Sequence, residues 1–564
     1  MKNGNYICGM FVRIKTSPNS PKKAVQIVEN VRDGGKVKQR IVRHVGTAFN
    51  DEEIKRLKDL AEFIKASIET ENQPGIFSPE TMAQMAIDAR DRASDEPLEV
   101  NMKNLREENR ITLGIHDVYG QLYKEVGFDH VLTNASRKVS AVKNLFHIVM
   151  GRLANPASKM ATVHDLSEHF GVTLSLPGVY RMMDNIDLQA IERIQQAAYE
   201  STTGLLKEPV QVIFYDCTTL YFESFTEDEL KQYGYSKDMK FNQSQVLLAM
   251  LVTQWGLPLG YEVYEGSRYE GHTLKDAINK IEERYQIKEV TFVADSAMLS
   301  KDNVNLLEVM GKHYILGARI KNLPAVIRQQ ILDKENYIEM NNNSADTSYY
   351  VKEISYQGKR LIVTYSPVRA RKDALDRQRS IDRLLAKLNK NTTNPSQLIS
   401  NFGYKKYIKL TGNANIQMDE DKVKEDARWD GLHGVITNDT KLTVEQIMEQ
   451  YHGLWQVEET FRVSKHDLKI RPIFHWTPRR IQAHIAICFM ALCLSRQLQY
   501  RMRVLGKNLS PEVIRQSLVG VQLSIVRDKK TNYLYGIPSA ITQNAKEIYQ
   551  AVGLKLSNVP FLIK

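Results

Sequence analysis

Three acidic residues stand out because the sequence around each of them predicts a buried or packed element. Asp216 interrupts the apolar stretch EPVQVIFYDCTTLYF, Asp295 ends the apolar part of KEVTFVADSAML, and Glu458 lies within a helical pattern. A carboxylate in such a place is costly unless it is paired or bound to a metal. Carboxylate oxygens are hard ligands that suit Mg²⁺ or Mn²⁺, and two such ions can activate an attacking hydroxyl and stabilise a leaving oxygen. The three residues therefore indicate a site for two divalent ions and phosphodiester chemistry.

The sequence between residues 205 and 319 predicts the elements that would position the two aspartates. The strand with Asp216 is followed by the strand pair QSQVLLAMLVTQ and LPLGYEVYEG, the amphipathic helix HTLKDAINKIEERYQ, and the strand that ends on Asp295. A helix capped by Ser300 and a fifth strand, HYILGAR, complete the series. The order of three strands, helix, strand, helix and strand is typical of an α/β ribonuclease H-like fold, in which helices cover one mixed sheet.

The third acid is predicted to lie on a helix that begins at Thr443, because Thr443 and Gln446 form a capping box. This helix should run to about Leu468 with one face formed by residues spaced three and four apart: Ile447, Tyr451, Leu454, Glu458, Phe461 and Lys465. Glu459 should point to solvent. An internal contact between Glu458 and Lys465 is the alternative to metal binding, although two helical turns separate the two residues.

Residues 320–440 separate the fifth strand from the helix that carries Glu458. They contain the strand-like stretches YYVKEISY, RLIVTYS and GLHGVITN and a charged helical stretch around residues 370–390. A connection of this length without structure of its own is improbable in a compact domain. We therefore expect a β-rich insertion at 320–440, which divides a catalytic core formed by residues 205–319 and 441–508.

The rest of the chain predicts three further parts. Residues 1–48 alternate in strand fashion around Asp33-Gly34-Gly35, which predicts a small β domain with a hairpin. Residues 49–204 are mostly helical in pattern, with a helix start at Ser78 and a helix-turn-helix outline in TVHDLSEHFG and SLPGVYRMMDNI. Binding of DNA ends and plain helical packing both fit this region. The tail, residues 509–564, is predicted to be helical.

The composition favours a soluble globular protein with a polyanionic partner. Lys and Arg outnumber Asp and Glu by 77 to 66, which gives a net charge of +11. The four cysteines include no Cys-x2-Cys pair, which argues against a zinc ribbon or a disulfide framework and suits a reducing cytoplasm. The longest apolar run, Ile485 to Leu494, is about half of what a membrane span needs, and no signal peptide is recognisable. We expect a cytoplasmic protein in which this run forms a buried helix.

A resemblance to a known family adds to this interpretation. YHGLWQVEETFRVSK, residues 451–465, resembles the Tyr-x2-Arg-x3-Glu-x6-Lys signature of bacterial insertion-sequence DDE transposases, with Tyr451, Glu458 and Lys465 at matching positions. FYDCTTLYF, VADSAMLS and RWDGLHGVITND resemble the family's other motifs, so that the resemblance covers most of residues 205–500. The N-terminal hairpin with its DGGK turn is similar to one branch of the same class.

The resemblance implies a function for the three acids. Asp216, Asp295 and Glu458 would be the catalytic, metal-binding residues that cleave insertion-sequence ends and transfer the strands into target DNA. The partners would be double-stranded DNA, both terminal inverted repeats and target, with a homodimer on paired ends and no membrane. One feature departs from the signature, because Leu454 takes the place of its arginine. Core packing is the simplest role for Leu454, and Arg462 is a candidate substitute for the missing arginine.

The DNA contacts that the resemblance implies lie on and after the same helix. They are Tyr451, Trp455, Arg462 and Lys465. The stretch from Arg462 to Arg480 also contains Lys469, Arg471 and Arg479, interleaved with His475 and Trp476. Such a basic and aromatic stretch suits contact with phosphates, and a solvated helix end is the alternative.

Three other functions are compatible with parts of the sequence. A ribonuclease H-fold DNA nuclease without strand transfer would need neither the insertion nor the signature helix. A DNA-binding regulator derived from a transposase should have lost at least one of the three acids, and all three are present. A metal hydrolase of the histidine-ligated kind is disfavoured because the histidines show no His-x3-His spacing.

Overall fold

The computed structural model describes residues 8–17, 20–33, 36–48, 51–72, 100–132, 139–223, 226–235, 242–285, 290–342, 347–388, 406–411 and 415–563. The chain divides into two compact units. The first comprises Met1–Ile111, Gln522–Ile541 and Ser557–Lys564, and the second comprises Thr112–Val521 and Thr542–Leu556.

The first unit contains a three-stranded antiparallel sheet followed by a helix. The elements are β1 (Cys8–Ser17), β2 (Ser20–Asp33), β3 (Lys36–Ala48) and α1 (Asp51–Asn72). Asp33 pairs with Lys36, which confirms the predicted hairpin, although Gly34 and Gly35 lie outside the described residues. The helix packs on the sheet through a small apolar core that includes Val25, Ile27 and Ala61. The predicted helix start at Ser78 also lies outside the described residues.

A second sheet in the first unit corrects the prediction for the tail. It consists of β4 (Leu105–Thr112), β16 (Gln522–Asp528), β17 (Leu534–Pro538) and β18 (Phe561–Leu562), in the order β18-β17-β16-β4. Residues 509–564 were expected to be helical, but they supply three of these strands as well as two helices of the second unit, α15 (Pro511–Val519) and α16 (Gln543–Ala551). The local sequence did not predict these strands, because the side chains of β16 alternate only in part between buried and more exposed positions.

The second unit is built around a nine-stranded mixed sheet. Its strands are β5 (Val212–Tyr221), β6 (Gln245–Thr253), β7 (Pro258–Glu265), β8 (Thr291–Ala294), β9 (His313–Ala318), β10 (Ile338–Asn342), β11 (Thr347–Tyr356), β12 (Lys359–Tyr365) and β15 (Leu432–Thr437). The spatial order is β10-β11-β12-β15-β9-β8-β5-β6-β7. With α7 (Leu274–Tyr285) between β7 and β8 and α8 (Lys301–Val309) between β8 and β9, the predicted ribonuclease H-like order is confirmed.

The central strands are apolar on both faces because helices cover both sides of the sheet. On one face, Tyr215 and Ala294 belong to a core that includes residues of α7 and α8. Side chains of a strand alternate between faces, so Phe214 and Asp216 of β5 belong to the opposite face. That second face carries the helix pair α12 (Val444–His452) and α13 (Trp455–Arg462).

The expectation of a separate, largely β insertion needs correction. The described part of residues 320–440 contains helices beside its strands, namely α9 (Ala325–Leu332), α10 (Pro367–Leu388) and α11 (Glu420–Ala427). Among the described residues of this region, only β13 (Ile408–Thr411) and β14 (Asn415–Met418) form a sheet of their own. The other inserted strands extend the core sheet, because β15 pairs with the edge of β9 and continues the sheet through β12. An edge strand with unpaired backbone groups offers such a pairing site.

The remaining helices of the second unit lie before β5 and after the α12–α13 pair. They are α2 (Gly114–Val126), α3 (Val139–Ala154), α4 (Lys159–Phe170), α5 (Leu176–Met183), α6 (Leu188–Leu206) and α14 (Pro478–Val504). Gly171 ends α4 with a φ of 65°, a conformation that glycine tolerates, and this produces the predicted helix-turn-helix outline. Helix α14 is long and apolar enough to cross a membrane, but 94% of its apolar window is buried in the protein. It is the predicted buried helix.

Candidate active site

The register of two neighbouring strands places Asp216 beside Asp295. Strand β5 runs parallel to β8, with Tyr215 opposite Ala294. The residue that follows each of these two is an aspartate, Asp216 after Tyr215 and Asp295 after Ala294. Neighbouring strands lie about 4.8 Å apart. Both aspartates are half-buried. The sheet therefore brings together two acids that are far apart in the sequence, on the face opposite the core of α7 and α8.

Each aspartate accepts a hydrogen bond from its own segment of the chain. The Cys217 N–H donates to Oδ1 of Asp216 at 2.7 Å, and the Ala297 N–H donates to Oδ1 of Asp295 at 2.8 Å. These bonds restrict the rotation of both carboxylates. The two acids are therefore oriented by the local backbone as well as placed by the sheet.

The helix pair that carries Glu458 is fixed to the sheet at Gly453. The predicted capping box is present, because the Thr443 hydroxyl accepts from the Gln446 N–H and the Gln446 side chain accepts from the Thr443 N–H. A Cβ on Gly453 would lie 2.5 Å from Cζ of Phe214, which is two residues before Asp216 on the same face of β5. The close approach therefore sets α13 over the face that carries Asp216.

The continuous helix expected from Thr443 to about Leu468 is interrupted. Helix α12 ends at His452, α13 begins at Trp455, and the chain continues as a π-helical turn over Val463–Asp467. At the junction the Leu454 N–H donates to the Tyr451 carbonyl, a tighter turn than that of an α-helix. Residues after the junction therefore do not keep the face predicted from uniform helical spacing.

Tyr451 connects the helix pair with the two carboxylates at the end of the sheet. A Cβ on Gly317 would lie 2.6 Å from the Tyr451 hydroxyl and 2.9 Å from the Ser296 nitrogen, so the hydroxyl is close to the chain at Asp295. Burial, together with the negative charges of Asp295 and Glu458, raises the pKa of Tyr451 to about 12. Both acids thus act on one hydroxyl. His433, whose Nε2 lies 3.5 Å from this hydroxyl, was missed as a site residue although it is part of the RWDGLHGVITND motif.

The two glutamates of α13 exchange the roles expected from helical spacing. Glu458 is exposed, whereas Glu459 is half-buried. Arg462 donates two hydrogen bonds to Glu459, from Nε at 2.7 Å and from an Nη at 2.6 Å. This pair lowers the pKa of Glu459 and raises that of Arg462. Arg462 is therefore engaged within the protein, which counts against a simple substitution for the arginine of the signature.

The other residues of the predicted DNA contact differ in exposure. Leu454 is only 9% exposed, as its expected core packing requires. Trp455 is 53% exposed, and Lys465 is half-buried. His475, included in the basic and aromatic stretch, is buried, and burial with the charges of Lys159 and Arg480 lowers its pKa to about 3. A neutral, buried histidine cannot contact phosphate as a cation.

The three acids have the chemistry that a divalent ion requires. Asp216, Asp295 and Glu458 supply carboxylate oxygens from two adjoining strands and the helix above them, and such oxygens fit Mg²⁺ or Mn²⁺. In the described part of the chain, no three His, Cys, Asp or Glu side chains are close enough together to hold a metal ion. Like charges repel one another, and this opposes closure of three carboxylates without a cation. The residues therefore fit the ion chemically, and closure would require movement of the exposed Glu458.

Two family models match the sequence. The model described as "Transposase DDE domain" matches residues 208–494, which is about half of the chain and includes all three acids. The chain belongs to this family. The model described as "IS1634 family transposase, N-terminal domain" matches residues 12–74 of the transposase, which include most of the three-stranded sheet and α1. The resemblance to insertion-sequence DDE transposases is thereby confirmed at the level of the family.

The solved structures that match the transposase are distant. The transposase is similar to a cryo-EM structure of the piggyBac transposase synaptic complex with hairpin DNA, at 9% identity over 72% of this chain and 76% of that chain, with a TM-score of 0.36. A crystal structure of a pre-cleavage Mos1 transpososome matches at 11% identity over 47% and 78%, with a TM-score of 0.14. No curated protein sequence matches the transposase. The family assignment rests on the two family models.

Proposed function

We propose that the transposase cleaves the ends of its insertion sequence and joins them to target DNA with Asp216, Asp295 and Glu458 as its catalytic residues. The observation that carries the proposal is the register of β5 and β8, which sets Asp216 beside Asp295 on the face covered by α13. The charges of Asp295 and Glu458 both act on Tyr451, which supports convergence of the helix on the same site.

The three carboxylates would hold two divalent ions, Mg²⁺ or Mn²⁺. When bound, such ions promote deprotonation of the attacking hydroxyl and take up charge on the leaving oxygen. In the first step, water attacks the phosphodiester at the end of the insertion sequence. The bond from phosphorus to the 3′ oxygen breaks, and the oxygen takes up a proton. The freed 3′-hydroxyl then attacks a phosphodiester of the opposite strand or of target DNA. Asp216 and Asp295 position the reacting groups because the sheet fixes them.

The DNA would lie along the exposed side of α13. Trp455 precedes Glu458 by about one turn and is exposed, and Tyr451 and Lys465 occupy matching positions of the Tyr-x2-Arg-x3-Glu-x6-Lys signature. Arg462 would contact a phosphate while it keeps its pair with Glu459, because that pair uses two of its five N–H donors. Helices α4 and α5, with their helix-turn-helix outline, would bind the terminal repeats. Joining of two ends implies a homodimer on DNA.

Reaction of the purified protein with its own flanking DNA tests the proposal. Short inverted repeats are expected on both sides of the gene. A duplex that contains one repeat and its flank should be cut at the end of the repeat in Mg²⁺ or Mn²⁺, and not in EDTA. With a supercoiled plasmid added, the cut strand should become joined to the plasmid. Cutting without joining would favour a nuclease, and binding without cutting would favour a regulator.

A further inference from the structure

A short segment after the π-helical turn presents two aromatic side chains on its outer side. Along Ile473–Trp476, here called the aromatic segment, burial alternates: Ile473 is 3% and His475 8% exposed, whereas Phe474 is 55% and Trp476 61% exposed. Ile473 forms a parallel bridge with Phe222, which follows β5. In an extended chain, alternate side chains share a side and lie about 6.6–6.8 Å apart. Phe474 and Trp476 are therefore exposed neighbours on one side of a strand-like segment.

Buried polar side chains hold the chain that leads into the aromatic segment. Arg152 donates to the carbonyl oxygens of Leu468 and Lys469, each at 3.4 Å. Nε2 of His484 lies 3.0 Å from the Ile470 carbonyl oxygen and donates to it, so its Nδ1 accepts from the Lys159 ammonium at 3.2 Å. Because these side chains are almost completely buried, the backbone is fixed from beneath while its aromatic side chains face outwards.

Cationic side chains lie near the aromatic segment. The Lys231 ammonium lies 5.5 Å from the centroid of the Trp476 ring, and the Arg471 guanidinium lies 5.2 Å from the centroid of Tyr221. Lys469 and Arg479 lie within a few residues on either side. Lys231 is buried and paired with Asp228, so it supports the indole from within. An exposed aromatic pair beside cations is complementary to a nucleic acid, because bases stack on aromatic rings and phosphates are attracted to cations.

The aromatic segment lies away from the catalytic acids. Phe222 follows Asp216 by six residues along β5, which corresponds to roughly 20 Å at about 3.3 Å per residue. Successive nucleotides of a DNA strand are about 3.4 Å apart, so this distance corresponds to about six base pairs. The spacing of two alternate side chains, about 6.7 Å, is twice the separation of stacked bases and leaves room for one base between two rings.

We propose that Phe474 and Trp476 form a stacking site for one unstacked base of the bound DNA, about six or more base pairs from the cut. The proposal rests on the proposed function because it takes the same DNA as ligand. Phe474 and Trp476 supply the ring faces, and the Lys231 ammonium supports the indole 5.5 Å from its centroid. The fixed backbone reduces the entropy that ordering of the site would otherwise cost on binding.

Binding titrations of the full-length protein with the flanking-repeat duplex test the ring contacts. Phe474→Ala and Trp476→Ala should each weaken binding about 5- to 150-fold, because loss of one stacked base contact has this effect. The slope of log affinity against log salt should not change, since no phosphate contact is removed. Trp476→Phe should restore most of the affinity. Tyr269→Ala is the matched control, because Tyr269 is 53% exposed and lies elsewhere. All variants should melt at the temperature of the wild type.

Permanganate reactivity of thymines locates the disrupted base pair. The base held between the two rings leaves its partner unpaired, so a partner thymine about six or more base pairs from the cut should react in the wild type, and the double variant Phe474→Ala/Trp476→Ala should abolish this reactivity. Unchanged affinity in the double variant, or a changed salt slope with unchanged reactivity, would overturn the stacking site. If the wild type cuts the DNA, the proposed function stands whichever result the variants give. If the wild type does not cut, the proposed function fails, and titration of the same variants with a plain duplex still decides the stacking contact.

Discussion

The two aspartates are held by the central sheet, whereas the glutamate is held by a helix. Asp216 lies on β5 and Asp295 directly follows β8, its parallel neighbour inside a nine-stranded sheet, and the backbone beside each carboxylate donates a hydrogen bond to it. Glu458 lies on a short helix above the sheet and is exposed. The strands fix two of the proposed ligands before any partner binds, whereas the exposed position of Glu458 on the helix would leave the third able to move. We infer that the sheet provides the preorganised part of the site and that α13 completes it.

Asp216→Asn is expected to have the largest effect. Asparagine keeps the shape of the side chain and removes the charge that would hold a divalent ion. Cleavage should fall by more than the ~10–100-fold typical of a residue that only supports a metal ligand. Binding of end DNA should remain close to that of the wild type. A cleavage assay and a gel shift on one preparation measure both quantities, and retained cleavage in Mg²⁺ would remove Asp216 from the metal site.

Glu458→Gln and Glu459→Gln form a matched pair one residue apart. Glu458→Gln should reduce cleavage more than about 100-fold and leave the melting temperature unchanged, because an exposed carboxylate contributes little to folding. Glu459→Gln breaks the pair with Arg462 and should cost under about 1 kcal/mol of stability, with cleavage retained. If Glu459→Gln instead abolished cleavage and Glu458→Gln did not, the assignment of the third acid would be reversed.

Gly453→Ala tests the attachment of the helix to the sheet. The added methyl would approach Phe214, a buried ring without space to move, so overpacking should cost about 1–3 kcal/mol of unfolding free energy. Cleavage should fall with little loss of DNA affinity, because α13 would shift over the aspartates. Gly204→Ala in α6 is the control, since a Cβ there meets no described atom within 4 Å. It should stabilise by up to about 1 kcal/mol. Urea unfolding compares the two, and equal effects would contradict the proposed attachment.

Lys465→Ala should have the smallest effect on the folded protein. If Lys465 contacts a phosphate near the cut, its loss should flatten the salt dependence of binding by roughly one unit of log–log slope. If Lys465 neutralised a buried Glu458, its loss would cost roughly 3–5 kcal/mol. Glu458 is exposed, so we expect the first result. Melting without DNA and a salt titration with DNA distinguish the two, and a large fall in melting temperature with an unchanged slope would contradict the phosphate contact.

The sequence predicted the elements of the site better than the arrangement of its helix. Apolar stretches around Asp216 and Asp295 were sufficient to predict buried strands, and their parallel pairing follows from the helix between them. The exposure of Glu458 was not predictable in the same way. It depends on the interruption after His452, where Gly453 approaches Phe214, and this contact involves a residue more than 200 positions earlier in the sequence. Helical periodicity assumes a regular helix and carries no information on such a contact.

The strands outside the core show the same limit. The stretches YYVKEISY, RLIVTYS and GLHGVITN were recognised as strands, and all three are strands. Their partners were not recognised, because a local pattern does not specify which sheet edge a strand joins. The pairing of β15 with β9 turns an expected separate lobe into one side of the core sheet. The burial of His475 was unpredictable for the same reason. It depends on contacts with α5 and α14 rather than on the residue's neighbours in the sequence.

The four-stranded sheet of β4, β16, β17 and β18 has a consequence for synthesis of the chain on the ribosome. Strand β4 ends at Thr112, and its partner β16 begins at Gln522, roughly 400 residues later. At about 5–20 residues per second, β4 waits roughly 20–80 s for its partner. During that time its edge is unpaired and open to association with other chains. A nascent or truncated transposase that lacks β16 is therefore expected to be a better substrate for chaperones and proteases than the finished protein, which would limit the activity of incomplete copies.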